Sequence, residues 1–192
     1  MNSYQGMNLD QLKDELIRTA KKAYPLFIIG ALYWFVMGLL GLFLEQKLTA
    51  LISVIGMGSI FPLGTLLGKL LKADIMSSNP LGVIGGLIGG IQLFFIPIWV
   101  VIYIEHPEWI PMSIGMMSGA HFLPYVWLYK SKTYLFQTIA TVLVAFIGGY
   151  IFMDQAFLVV PFGLTLVYLI TVIGLVAETG SYIRSNPVNK SV

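Results

Sequence analysis

The sequence predicts an all-α integral membrane protein: a six-helix bundle of three antiparallel hairpins, preceded by a short N-terminal amphipathic helix. Three observations predict it. Of 192 residues, 57% are hydrophobic and only 10% are charged, against roughly 25% charged in a soluble globular domain. Every Asp, Glu, Lys and Arg falls outside six uncharged stretches, 25–44, 48–68, 80–104, 109–129, 133–153 and 156–177. Each stretch has the roughly 20 apolar residues a helix needs to cross about 30 Å of hydrocarbon. None alternates in the way a barrel strand must.

Residues 1–24 form the N-terminal segment. Within Asn8–Lys22, Leu9, Leu12, Leu16, Ile17 and Ala20 recur at helical spacing opposite Asp10, Lys13, Asp14, Arg18 and Lys21. That is the pattern of a helix lying on a membrane surface or against the bundle. The first span is too long for the apolar region of a signal peptide and is followed by no small-x-small site, so it is expected to stay in the mature protein. Residues 25–177 make the transmembrane domain and 178–192 the tail. With the N-terminus inside, ten lysines and arginines, from Lys13 to Lys190, lie in inner segments and Lys47 alone lies outside. Positive charge next to a span resists translocation, which places both termini in the cytoplasm. Connections this short make consecutive spans antiparallel neighbours. Asn79 before Pro80 has the chemistry of a helix N-cap followed by a first-turn proline.

Lipid supplies no hydrophobic drive between helices, so small residues that let backbones approach carry much of the packing. The third span has Gly82, Gly86 and Gly90 at i, i+4 and i+8, with Gly85 and Gly89 on the adjoining stripe. Gly64 and Gly68 in the second span and Gly115 and Gly119 in the fourth repeat the spacing. The glycine-rich third span is therefore the candidate surface for a homo-oligomer or a partner membrane protein. Pro62, Pro97 and Pro124 stand inside the second, third and fourth spans, where each removes a ladder hydrogen bond and marks a kink.

His121 is the one acid/base side chain deep within a span, on a face shared with Ser118 and Tyr125. Gln92 lies at comparable depth on the third span, and Tyr33 and Ser59 complete a candidate central polar site. Such a histidine can move a proton or sense pH, or it can serve as a neutral imidazole bonded between helices. No carboxylate accompanies it, which argues against strong cation coupling. With no cysteine and two histidines far apart, no metal site, cofactor site or catalytic triad is legible. A net charge of +2 is no footprint for nucleic acid. The Asn189-Lys190-Ser191 sequon falls on the cytoplasmic tail, where it has no consequence.

The run Gly119-Ala120-His121-Phe122-Leu123-Pro124-Tyr125-Val126-Trp127-Leu128-Tyr129-Lys130-Ser131, with the glycine-rich start of the third span, resembles an uncharacterised family of small multi-pass bacterial membrane proteins, a family of unknown function. The resemblance implies a bacterial cytoplasmic membrane and carries over no activity, substrate or catalytic residue. Two functional readings stand on the residues. One is a small transporter or channel-like permeation protein with its site between the second, third and fourth spans. The other is a non-catalytic accessory, immunity or stress-response partner acting through helix contacts. The ligand is not legible.

Overall fold

The computed structural model describes residues 4–187, which are helical nearly throughout, with no strand among them. Lys190 and the Asn189-Lys190-Ser191 sequon lie outside the described residues. Ten α-helices follow in chain order: α1 Leu9–Ala20, α2 Tyr24–Phe43, α3 Gln46–Met57, α4 Ile60–Leu70, α5 Pro80–Gly90, α6 Ile96–Glu105, α7 Ile110–Ala120, α8 Leu123–Leu128, α9 Lys132–Phe146 and α10 Ala156–Ser185. Among the described residues four helical stretches are long and apolar enough to cross a membrane: Leu9–Phe43, Pro80–Glu105, Lys132–Ile151 and Met153–Ser185. The pair α3 and α4, bent by 47°, makes a fifth if it is taken as one crossing. The stretch 109–129 is instead divided into α7, of 11 residues, and α8, of 6. Neither alone spans a bilayer.

α1 begins at a reciprocal cap, in which the Asn8 side chain accepts from Gln11 N–H at 2.9 Å and the Gln11 side chain accepts from Asn8 N–H at 2.8 Å. Its Leu16, Ile17 and Ala20 are buried, while Leu9 is exposed. Between α1 and α2 the chain turns through three consecutive left-handed residues, Lys21, Lys22 and Ala23, with φ of 49°, 53° and 53°. None is glycine, and a β-carbon in this region costs roughly 1–2 kcal/mol per residue. Long-range bonds hold the turn. Lys21 Nζ donates to Leu71 O at 2.8 Å, Lys22 Nζ donates to Glu178 at 2.7 Å, and the Tyr134 hydroxyl donates to Lys22 O at 2.9 Å.

The three prolines sit just after breaks in their helices. α3 ends before Gly58 and Ser59, and Pro62 falls in the first turn of α4. Pro97 and Pro124 are each the second residue of a new helix, α6 and α8. In a first turn the missing N–H would have had no partner, so proline there starts a helix more than it bends one. Pro161, by contrast, lies inside the unbroken 30-residue α10.

The core forms where α10 lies along α2 and where α9 packs on both α7 and α10. Backbone closeness sets these contacts. A β-carbon on Gly41 would stand 2.5 Å from the Phe157 carbonyl oxygen, and one on Gly115 would stand 2.5 Å from Ala145 Cβ. Gly64, Gly68 and Gly119 are comparably tight, Gly82 and Gly85 less so, and Gly89 approaches only the Tyr125 hydroxyl. Gly86 and Gly90 have nothing within 4 Å. Phe27, Phe122, Tyr125, Tyr129, Tyr134 and Tyr168 fill the space between helices as a continuous aromatic cluster.

Asn79 ties α5 to α1. Its side chain caps α5 by accepting from Leu81 N–H at 2.9 Å, and its amide donates to Leu12 O, also at 2.9 Å. It is fully buried. Asn79→Ala is expected to destabilise the protein by about 1–3 kcal/mol, a lost cap plus an orphaned carbonyl, read as a lower melting temperature in detergent.

Candidate functional site

Two helices lose their α-helical form where they face each other. Beyond Gly90 the third hydrophobic stretch tightens to a 3-10 turn over Ile91–Phe95, and α7 gives way to α8 through His121 and Phe122. Gln92 comes from the first break and His121 from the second. The Gln92 amide nitrogen stands 2.7 Å from His121 Nδ1 and 3.0 Å from Nε2, while Nδ1 is also 2.5 Å from Ser118 O. A carbonyl can only accept, so Nδ1 carries the hydrogen and donates to Ser118 O. Nε2 then accepts from Gln92. A neutral imidazole makes these two bonds, and the 2.7 Å approach of the Gln92 amide to Nδ1 sets two donors side by side and is not a bond.

Tyr125 lies one turn on from His121 and donates from its hydroxyl to Gly85 O at 2.6 Å, tying α8 to α5. Beside the pair is a cleft of about 540 Å³ walled by apolar side chains, among them Ile88, Ile91, Phe95, Met116 and Leu123. The Ser118 hydroxyl turns back to Gly115 O at 3.2 Å. Tyr33 and Ser59 lie apart from this group. The buried Tyr33 hydroxyl donates to Ser53 O at 2.7 Å, and the exposed Ser59 hydroxyl donates to Gly56 O on its own chain turn at 2.6 Å.

Two further polar groupings contain residues that depth along a span does not single out. Gln137 lies four residues into its span, too near an end to count as deep, yet it is completely buried. Its side-chain carbonyl accepts from the Thr171 hydroxyl at 2.5 Å. The available signal was periodicity: Gln137 and Thr141 are four apart on α9, and Tyr168 and Thr171 are three apart on α10.

The second grouping centres on Glu178, one residue past the last uncharged stretch. Its carboxylate takes Lys22 Nζ at 2.7 Å, the Ser131 hydroxyl at 2.5 Å, the Thr133 hydroxyl at 2.8 Å and Thr133 N–H at 3.0 Å. Burial alone would raise its pKa, but these four donors outweigh burial and hold it below the ordinary 4.5. Asp14 of α1 behaves alike: burial opposes ionisation, and the Tyr182 hydroxyl and Lys130 ammonium outweigh it. Lys130 also meets Asp10 at 3.0 Å, and the Lys13 ammonium sits 3.3 Å from the centre of the Trp127 ring. α1 is thus pinned across the ends of α8 and α10. Among the described residues no three His, Asp or Glu side chains gather as a metal site requires.

No curated protein and no solved structure matches the chain. A family model does match, over residues 9–178, from the start of α1 to the carboxylate that anchors the turn after it. The protein belongs to that family, described as a family of unknown function, DUF7010.

Proposed function

We propose that the protein crosses a bacterial cytoplasmic membrane six times with both ends in the cytoplasm, and that it acts as a small permeation protein whose site is the His121–Gln92 pair. Taking α3 with α4 as the second crossing and α7 with α8 as the fourth completes the six. The ten-to-one division of lysine and arginine supports the orientation. α1 then lies at the cytoplasmic surface, pinned by Lys130 and Tyr182. The observation that carries the functional reading is the meeting of two broken helices at one polar pair. Broken helices are tolerated at membrane depth where they line a cavity or are buried in protein, and transporters build sites from them.

Topology is checked with single cysteines, since the chain has none of its own. Gln46→Cys, His106→Cys and Gln155→Cys are expected to react with a membrane-impermeant thiol reagent in intact cells, and Ser131→Cys only after permeabilisation. The site is checked in vesicles loaded with a pH dye. His121→Gln keeps a hydrogen-bonding side chain, so it is expected to melt within about 3 °C of wild type, a change of roughly 1 kcal/mol, yet to reduce proton flux to that of empty vesicles. Unchanged flux in His121→Gln removes the site from this reading.

A second reading, the non-catalytic partner, rests on the third hydrophobic stretch. Only 6% of its apolar window is buried within the chain, and Gly86 and Gly90 face open space. A membrane partner or a second copy would use this face. The discriminating measurement is the mass of the detergent-extracted assembly with and without Gly86→Leu: a smaller mass for the variant favours the partner reading.

A further inference from the structure

Two helices of this chain end in the same closed turn, with lysine where glycine is usual. After α4 the Ala73 N–H donates to Gly68 O at 2.8 Å across the left-handed Lys72, and after α8 the Ser131 N–H donates to Val126 O at 3.0 Å across the left-handed Lys130. A β-carbon is disfavoured at a φ of 54° or 47°, so each lysine costs some stability relative to glycine. For Lys130 the compensation lies within the chain. Its ammonium meets Asp10 at 3.0 Å and Asp14 at 3.2 Å. For Lys72 no such compensation exists: among the described residues neither Lys72 nor the neighbouring Lys69 forms an ion pair. Orienting the chain in a membrane does not require a lysine in this conformation, since any lysine just beyond the span serves.

The two lysines share a cavity. The segment after the turn folds back on α4, where a β-carbon on Gly68 would stand 2.7 Å from the Ile75 side chain and 2.9 Å from Ala73 O. Beside this contact lies a cavity of about 380 Å³ whose lining includes Thr65, Lys69, Lys72, Asp74, Ile75 and Met76. α1 holds the turn from the other side, with Asp74 N–H donating to Thr19 O at 2.9 Å and Lys21 Nζ donating to Leu71 O at 2.8 Å. Thr65 and Lys69 are successive turns of one face of α4, and Phe61, Pro62 and Leu66 on the adjoining turns are exposed. The Thr65 hydroxyl is turned to Phe61 O at 2.9 Å, which leaves the ammonium groups as the donors. The site is therefore cationic at the end of the helix and apolar along its side.

That combination defines the guest. Oxygens of a phosphate accept charge-assisted bonds from lysine. Lys69 and Lys72 set against Asp74 leave one net positive charge in the lining, which matches the single negative charge of a phosphodiester. A phosphate monoester, with a charge of about −1.5 to −2, exceeds it. The exposed apolar side of α4 continues from the cavity as an acyl chain would from a headgroup, and basic pockets at the ends of spans recognise lipid headgroups in this manner.

We propose that the cavity at the end of α4 binds the phosphodiester headgroup of an anionic phospholipid, with the phosphate between Lys69 and Lys72 and an acyl chain along Phe61, Pro62 and Leu66. The inference rests on the reading of α3 with α4 as one crossing. It is independent of the His121–Gln92 site and of the orientation of the chain.

Phosphatidylglycerol is the probe. The full chain, freed of lipid in dodecyl maltoside, is expected to melt about 3–5 °C higher when phosphatidylglycerol is added at about ten times its Kd. Phosphatidylcholine and inorganic phosphate at the same concentration do not raise it. Without lipid, Lys72→Gly melts at or above wild type, because glycine relieves the left-handed turn, yet it loses most of the lipid-dependent rise. Lys69→Gln loses most of the rise as well. Lys132→Gln, which removes an exposed lysine from α9, keeps it. No rise with phosphatidylglycerol overturns the proposal, and an equal rise with inorganic phosphate replaces the lipid by a free anion. An equal loss in Lys132→Gln makes the attraction one of diffuse surface charge. A lipid-free melting temperature for Lys72→Gly below that of wild type gives Lys72 a partner inside the chain and overturns it too. Impermeant labelling of Gln46→Cys reads the crossing separately, so a chain that crosses as described and shows no rise refutes the headgroup site alone.

Discussion

Glu178→Ala is expected to lower the stability of the protein by about 3 kcal/mol, the lower end of the range for removing one partner of a buried ion pair. The lower end applies because the Glu178 side chain is 27% exposed, whereas that of Lys22 is only 3% exposed and cannot reach water when its partner is lost. The same change strands the Ser131 and Thr133 donors and releases one tether of the left-handed turn at Lys21–Ala23. A melting temperature in detergent lower by about 6–12 °C is the expected reading. Glu178→Gln, which keeps one of the two accepting oxygens and fills the same space, should lose less. Lys22→Met combined with Glu178→Leu should also lose less than Glu178→Ala, since no buried charge is left alone. The pH dependence has a definite sign. The folded-state pKa of Glu178 lies below its ordinary 4.5, so its contribution is fully present above pH 4.5 and fades as pH falls through the lower folded value. Asp14 adds to the loss in the same acid direction. A Glu178→Ala protein that melts like wild type at neutral pH, or a wild type that gains stability on acidification below pH 4.5, would refute the tether.

Gly41→Leu and Gly86→Leu make the second contrast. At Gly41 a new β-carbon meets the Phe157 carbonyl oxygen at 2.5 Å and its carbon at 3.2 Å. These are backbone atoms of α10, so α10 as a whole must shift, and the expected cost is about 3 kcal/mol or more, at the upper end for overpacking. Gly86 has open space around it. Leucine there leaves the isolated chain as stable as wild type or raises its stability by up to about 1 kcal/mol through helix propensity. Urea or thermal melts of the two variants decide the matter. A Gly86→Leu chain that loses as much as Gly41→Leu while remaining monomeric would contradict the open face described for α5, and a Gly41→Leu chain as stable as wild type would contradict the close packing of α2 on α10.

These contrasts show where sequence patterns stop. In the third span five glycines stand at helix-packing spacing, yet within the chain only Gly82 and Gly85 come within about 3 Å of a neighbour. Gly64 and Gly115, in the second and fourth spans, are as closed as Gly41 and Gly149, which stand in no repeated motif: a β-carbon would meet a neighbour at 2.4 and 2.5 Å against 2.5 and 2.3 Å. Spacing says which residues share a helix face. It does not say what that face meets. Likewise, counting residues from span ends singled out His121 and Gln92 but passed over Gln137, because depth along one helix carries no information about the helix packed beside it.

The amino-acid sequence by itself determined the helical class, the apolar stretches long enough for a membrane, the segregation of charge away from them, and local devices such as the Asn79 cap. Each depends on residues within a few turns of one another and on one solvent fact: hydrocarbon cannot satisfy a free backbone polar group or a charge. Only the tertiary structure decided which glycines are closed, where α3 and α4 or α7 and α8 part company, and how Lys22 finds Glu178. To a side chain, lipid and a neighbouring helix are almost equally apolar, so the hydrophobic pattern that separates inside from outside in a soluble protein is silent here. The inward face is set instead by close approach between residues as distant in sequence as Gly41 and Phe157.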